Sequence, residues 1–368
     1  MIQVFEPEVI QADMDHVMEA VKNGEISGSF GKFIPEFEKN FAAYIGVKHG
    51  VAVSNGSTAL HLAVAALSLP AGSEILVSAC TNIATALGAV HNNCIPVPVD
   101  SEPDTWNLDP SKIEALITPK TKAIIVVHIY GHPVDMDPVM TIADKHNLIV
   151  IEDCAESHGA TYKGKMTGSI GHMSCFSFYA NKIITTGEGG MVMTNDDKLA
   201  TRLAYLRNLA FGKPRFIHQD AGFNFRLTGM QAALGVSQLS RIDETLEKKR
   251  AIAAKYNEKL RDISWLELPV EKDYAKNVYW MYCIVLTEKS GYNKDAFMKY
   301  LSENDVDTRS FFCPMDLQPF IIELIKDKNI ECRVARGLWE RGIYIPSSHN
   351  ISDKEIDQVV SVIKKYHP

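Results

Sequence analysis

The chain has 368 residues, 46% hydrophobic and 23% charged, with a formal net charge of −7 at pH 7. That length exceeds what one core commonly supports, so two units are expected, and the ordinary balance excludes disordered, collagen-like and coiled-coil classes. The acidic balance offers no basic footprint for nucleic acid, and no apolar stretch reaches the roughly eighteen residues of a membrane span.

Met1 to Pro7 lacks the basic start, apolar stretch and small-residue cleavage site of a secretory signal. The seven cysteines are odd in number, scattered and never in C-x-x-C spacing, which indicates neither a disulfide framework nor a zinc site. A reduced, cytoplasmic protein is expected.

Pro35 opens the first clear helix, which runs to Ile45 with apolar residues at helical spacing and stops at Gly46. Ser57 to Leu67 reads as a second helix behind the turn Ser54-Asn55-Gly56. Strand-length apolar runs recur at Glu74–Val77, Ala123–Val127, Leu148–Ile151 and Met191–Thr194. This alternation marks βαβ units around a mainly parallel sheet. A long helical stretch follows from Thr228 to Leu260, then the strand-like run Val278–Val285. The expected class is α/β: a large domain over residues 1–245 with a mixed, mostly parallel sheet, and a smaller C-terminal α/β domain over 246–368.

Three places carry chemistry. Ser54-Asn55-Gly56-Ser57-Thr58 runs straight into an apolar helix, whose free N-terminal amides make an anion site that Gly56 lets a phosphate approach. A plain N-cap explains the same residues. The strand Leu148–Ile151 ends in Glu152-Asp153, at the carboxyl end where open α/β sheets bind ligands. A buried Asp153 needs a cationic partner, such as a protonated pyridine nitrogen, although a strand-end Asp also caps turns. Lys182 lies in Phe176-Ser177-Phe178-Tyr179-Ala180-Asn181-Lys182, among apolar and hydroxyl residues before the Gly-rich turn Thr186-Gly187-Glu188-Gly189-Gly190. Desolvation there would free its amine for a Schiff base; the plain alternative is a lysine whose stem is buried and whose head reaches water. Phosphate turn, strand-end acid and, about thirty residues later, a lysine are the parts a pyridoxal phosphate (PLP) site requires.

The segments Glu152–Gly159, Phe176–Lys182 and Thr186–Gly190 resemble the sugar aminotransferases of the DegT/DnrJ/EryC1/StrS family, fold type I PLP enzymes. The likeness runs from about Gly31 into the C-terminal region. It implies that Lys182 is the catalytic lysine, that Asp153 holds the ring nitrogen protonated and that Glu156 sits near the phenolic oxygen. It further implies that Gly56, Ser57 and Ser177 bind the phosphate, that Asn82 and Asn181 lie beside the cofactor, and that Asn224 reaches it from a second subunit. A homodimer with shared sites follows. His158, Arg309 and Asp316 are the candidates for substrate contact. Two positions depart from the family pattern: Asn82 stands where relatives place a ring-stacking aromatic, and Asp316 where they carry His. Stacking is therefore expected to be lost or supplied elsewhere, and the substrate to be unusual.

The implied reaction moves the amino group of L-glutamate to a keto or aldehydo sugar for lipopolysaccharide or O-antigen synthesis. Within the family, Asn181–Gly190 is most similar to the perosamine synthases, which aminate C4 of GDP-4-keto-6-deoxymannose. The alternative acceptor is C8 of an oxidised 3-deoxy-octulosonic acid. A related sugar dehydratase would carry His in place of Lys182, and a non-catalytic nucleotide-binding protein would exchange no amino group.

Three other motifs were set aside. Gly159–Lys165 has P-loop spacing, but Met166 stands where Ser or Thr is required, so a surface hairpin is expected. His128 and His132 flank Gly131 in a turn with no evident third ligand, so no metal is expected. No G-x-G-x-x-G follows a strand, which leaves a nicotinamide enzyme without support.

Overall fold

Short β-branched runs and longer Ala- and Leu-rich stretches alternate along the first half of the chain, and each becomes the element its composition favours. The computed structural model describes residues 1–214 and 216–367. Its elements begin with α1 (Gln11–Lys22), α2 (Phe33–Ile45), β1 (His49–Val53), α3 (Gly56–Ala66), β2 (Glu74–Ser78), α4 (Ala84–Val90) and β3 (Ile95–Val99). They continue with β4 (Thr121–Val127), α5 (Met136–His146), β5 (Ile149–Asp153), β6 (Thr161–Tyr162), β7 (Lys165–Met166), β8 (Met173–Ser177), β9 (Gly190–Thr194) and α6 (Asp197–Arg207).

Seven of these strands form one sheet in the order β1-β9-β8-β5-β4-β2-β3, in which β9 alone runs against its neighbours. The reversal lets the chain return from β8 to β9 without a crossover helix. That short return, at the carboxyl end of β8, carries Lys182. Strand β3 was not expected because its sequence, Ile-Pro-Val-Pro-Val, contains two prolines. It lies at the sheet edge, where a strand tolerates residues without an N–H.

Helix α2 starts two residues before Pro35 and ends at Gly46, whose φ of 83° closes it in the left-handed form. Phe33, Phe37, Phe41 and Ile45, spaced by four, put one buried stripe on the sheet. Phe41 meets Phe176 and Phe178 edge-on, with centroids 4.9 and 5.2 Å away. The P-loop-like stretch is the antiparallel hairpin of β6 and β7.

The expected helix from Thr228 to Leu260 is broken into α7 (Gly229–Leu239) and α8 (Ile242–Leu260). Arg241 leaves helical geometry between them, and its guanidinium holds Glu8 at 2.9 Å and Asp13 at 2.7 Å. Gln238 also donates to Asp13, at 2.9 Å. The N-terminal segment is thus tied across the chain.

Beyond α8 lie β10 (Leu266–Glu267), β11 (Ala275–Lys276), β12 (Tyr282–Leu286), α9 (Lys294–Glu303), β13 (Arg309–Ser310), α10 (Pro319–Ile325), α11 (Arg333–Arg341), β14 (Gly342–Ile345) and α12 (Asp353–Lys364). A second, antiparallel sheet takes the order β10-β12-β14-β13, and its core joins residues of α8 and α12. The strand-like run from Val278 becomes strand only at Tyr282, because Tyr279 turns left-handed with φ 48° and Val278 donates to the Gly131 carbonyl.

Phe41→Ala should lower stability by about 3–5 kcal/mol, read from urea denaturation, because Phe41 is fully buried between α2 and the large sheet.

Candidate active site

The ends of β5 and β8, the start of α3 and the return toward β9 converge on a cavity of about 480 Å³. Gly56, Ser57, Asn82, Asp153, Glu156, Ser177, Asn181 and Lys182 all line it. Residues scattered over more than a hundred positions of sequence are brought together by the parallel order of the strands.

Asp153, the last residue of β5, is 4% exposed. Its carboxylate accepts from the Thr85 hydroxyl at 2.8 Å and the Ala155 amide at 3.2 Å, and Thr85 is itself 3.0 Å from the Thr81 hydroxyl. Burial pushes the Asp153 carboxyl above its usual range, against those hydrogen bonds and the charge of Lys182. Glu156 is raised further, to about 7, by burial, although the Lys182 charge and the Tyr130 amide, 2.7 Å away, pull it back. Lys182 moves the other way: burial lowers its ammonium, while Glu156 and Asp153 resist. Its side chain is half-buried, and Nζ lies 3.8 Å from the centroid of the Trp280 ring.

At the opposite end of the cavity, the Asn55 side chain caps α3 by accepting from the Thr58 amide at 2.8 Å. Among the described residues, the amides of Gly56 and Ser57 have no protein acceptor. A Cβ at Gly56 would come within 2.7 Å of the Ser177 Cβ, and one at Gly190 within 2.4 Å of the Asn55 carbonyl oxygen. Only bare backbone fits there, so the helix N-terminus stays open to an anion.

Asn82 lines the cavity but turns its side-chain oxygen to the Ala84 amide at 3.0 Å, starting α4. Aromatic surface comes instead from Phe176, Tyr179, Trp280, Phe312 and Tyr344. Trp280, Phe312, Tyr344 and Thr85 escaped the reading of the sequence. The clustered aromatics of Val278–Cys283 and Phe311-Phe312 were a signal, but they read equally as core.

Four expected residues lie elsewhere. His158 is buried behind the cavity against Phe41, Phe176 and Phe178, and burial followed by the Lys182 charge pushes it down to about 3, so it is a neutral core ring. Asp316 does not line this cavity; it accepts from the Cys332 amide at 2.9 Å and pairs with Arg336 at 2.7 Å. Asn224 is exposed, bridged to Asn208 and away from the cavity of its own chain. Arg309 opens instead on an adjoining cavity of about 330 Å³, beside Gln3, Phe5 and Pro7, that shares Tyr179, Asn181 and Tyr344 with the first; it also pairs with Asp307.

His128 and His132 are structural. The His128 Nδ1 accepts from the Val134 amide at 3.0 Å, so Nε2 donates to Glu152 at 3.1 Å. Glu152 also accepts from the amides of Gly168, Ile170 and Gly171. Cys154 lies close enough to complete a possible metal triad with them, but this carboxylate is already filled. His132 serves the backbone of Pro133 and Lys272.

A buried acid, an amine of lowered proton affinity and an open helix N-terminus across one cavity fit a flat cationic heterocycle bearing a phosphate. The chain matches the model of the DegT/DnrJ/EryC1/StrS aminotransferase family over residues 7–364. It is 42% identical over 364 residues to the GDP-perosamine synthase of Caulobacter vibrioides, covering 98% of this chain and 97% of that one. The GDP-perosamine synthase of Escherichia coli O157:H7 is 36% identical, with 100% and 98% covered. Among solved structures, an aminotransferase from Psychrobacter cryohalolentis superposes with a TM-score of 0.89 at 32% identity, covering 98% and 97%. Helicobacter pylori PseC, an aminotransferase involved in pseudoaminic acid biosynthesis, gives 0.93 at 26%, covering 99% and 98%. The chain therefore belongs to the DegT/DnrJ/EryC1/StrS family and is a PLP-dependent sugar aminotransferase. No helix among the described residues is long and apolar enough to cross a membrane.

The raised carboxyl of Glu156 makes stability depend on pH. Between pH 4.5 and about 7 the unfolded chain releases a proton that the folded chain keeps, so folding weakens as pH rises through this window. Glu156→Gln should remove that component, and urea midpoints of the variant and wild type should draw together toward pH 4.5 and separate above it.

Proposed function

We propose that this enzyme moves the amino group of L-glutamate to a keto or aldehydo sugar, most closely GDP-4-keto-6-deoxymannose at C4, for lipopolysaccharide or O-antigen synthesis. The observation that carries the reading is two buried acids, Asp153 and Glu156, and the half-buried Lys182 lining one cavity. The likeness to two proteins named GDP-perosamine synthase supports the choice of sugar. A cytoplasmic homodimer, and a division of the chain near residue 245 between the two sheets, belong to the same proposal.

When bound, PLP supplies the electron sink for exchanging an amino group with a carbonyl. Asp153 would hold a protonated ring nitrogen, because a buried carboxylate favours a cation beside it. Lys182 would be the residue that anchors the cofactor and, when free, a base at the reacting carbon; its lowered proton affinity suits both giving and taking a proton. Glu156, near its midpoint at pH 7, would share a proton with the phenolic oxygen. Gly56, Ser57 and Ser177 would hold the phosphate, Asn82 and Asn181 would lie beside the ring, and Asn224 would reach in from the partner. Arg309, in the adjoining cavity, receives an acidic group of the donor or acceptor.

The visible spectrum of purified protein incubated with PLP tests this first. A yellow band that L-glutamate bleaches is expected, with Lys182→Ala lacking it and losing at least about 10²–10⁴-fold in turnover of the keto-sugar; a protein that stays colourless sinks the proposal. Mixing Lys182→Ala with Asn224→Ala chains should restore activity, because one site of each mixed dimer then holds both native residues. No recovery after verified exchange of subunits would place Asn224 outside the partner's site.

A further inference from the structure

We infer that Trp280 is the positioning residue for Lys182, its ring face seating the free Nζ ammonium opposite Asp153 and Glu156. The role in turnover rests on Lys182 being the cofactor lysine, whereas the contact itself does not.

Nζ lies 3.8 Å from the ring centroid, inside the range where a cation is drawn to an indole face. The ring is 2% exposed, so water screens the attraction little. Among the described residues, Nζ makes no ion pair, which leaves the indole as its nearest electrostatic partner. The ring is also held in place: its Nε1 donates to the Asn181 carbonyl at 2.6 Å, one residue before Lys182. Behind it the Tyr130 ring lies parallel within 10°, at 6.3 Å, and the Tyr130 amide donates to Glu156. One tryptophan therefore registers both the loop that carries the amine and the turn that carries the acid's donor. It arrives from the segment before β12, so the second sheet reaches the amine through this side chain.

The other ionisable groups facing the amine are Asp153 and Glu156 from the β5 end, His158 behind them, Tyr130 from its turn, and Tyr344 and Glu188 on the cavity wall. A ring that keeps its shape keeps its contacts with Asn181 and Tyr130, so a change in the lysine's midpoint in protein carrying a fluorinated indole reports the ring face itself.

The test is competitive acetylation of Lys182 by acetic anhydride against pH, read by mass spectrometry of its peptide. It is run on the full chain carrying pyridoxamine phosphate, in which the lysine is free, and again without cofactor. Trp280→Leu should lower the Lys182 midpoint by about one pH unit, and Trp280→Phe by less. Protein labelled with 5-fluorotryptophan, which keeps the shape and weakens the ring face, should shift the same way even if the leucine variant fails to fold. Equal midpoints in wild-type and fluorinated protein, or in the leucine variant shown folded by circular dichroism, would overturn the assignment. The cofactor-free arm does so independently of whether the cofactor reading stands.

Discussion

Three ionisable side chains share one poorly hydrated space, and the cost of taking their charges out of water shapes what surrounds them. Two acids and one amine cannot be buried as independent ions, since each alone costs several kcal/mol. They shift instead: burial raises both carboxyls and lowers the ammonium. Shifts in those directions suit a site where protons must move in either direction.

The neighbourhood divides this cost among specific contacts. Thr85 and the Ala155 amide hold Asp153, the Tyr130 amide holds Glu156, and an aromatic face meets Lys182. Tyr130 delivers its amide from a left-handed backbone, φ 53°, which a bulky residue adopts only when its surroundings impose it. Those surroundings are rings: Phe312 stacks on Tyr130 within 6°, and Phe311 lies 4.7 Å away. The strain and the stacking therefore belong to one arrangement. Glu152, adjacent to Asp153, gathers three loop amides and His128, so the strand end that carries Asp153 is pinned.

That Gly56, Ser57, Asp153 and Lys182 share a site was legible in the sequence because each has a local signature. Gly56 and Ser57 sit at a helix start, Asp153 at a strand end and Lys182 before a Gly-rich turn, each with a signature within a few residues. The substrate side was not. Asp316 and His158 have suitable chemistry but spend it on Arg336 and on an aromatic core, which only tertiary packing decides. Trp280 and Tyr344 lie in apolar runs indistinguishable from core by periodicity. At the level of the fold, the break between α7 and α8 was hidden because Arg241 is a good helix former, drawn out of helix by acids more than two hundred residues away.

The reversed strand β9 bears on how such an enzyme can diversify. Because the chain doubles back directly from β8, the lysine loop is short and both its ends are anchored in the central sheet. The opposite wall, with Trp280, Phe312 and Tyr344, comes instead from segments around the second sheet, and the adjoining cavity adds Arg309 and the N-terminal strap. The two walls of the cavity thus come from different stretches of chain. A change confined to the stretch after α8 would reshape the wall of Trp280, Phe312 and Tyr344 while leaving Asp153 and Lys182 on their own sheet, as long as it kept the joints between the two: Trp280 with Lys182, Val278 with Gly131 and Phe312 with Tyr130.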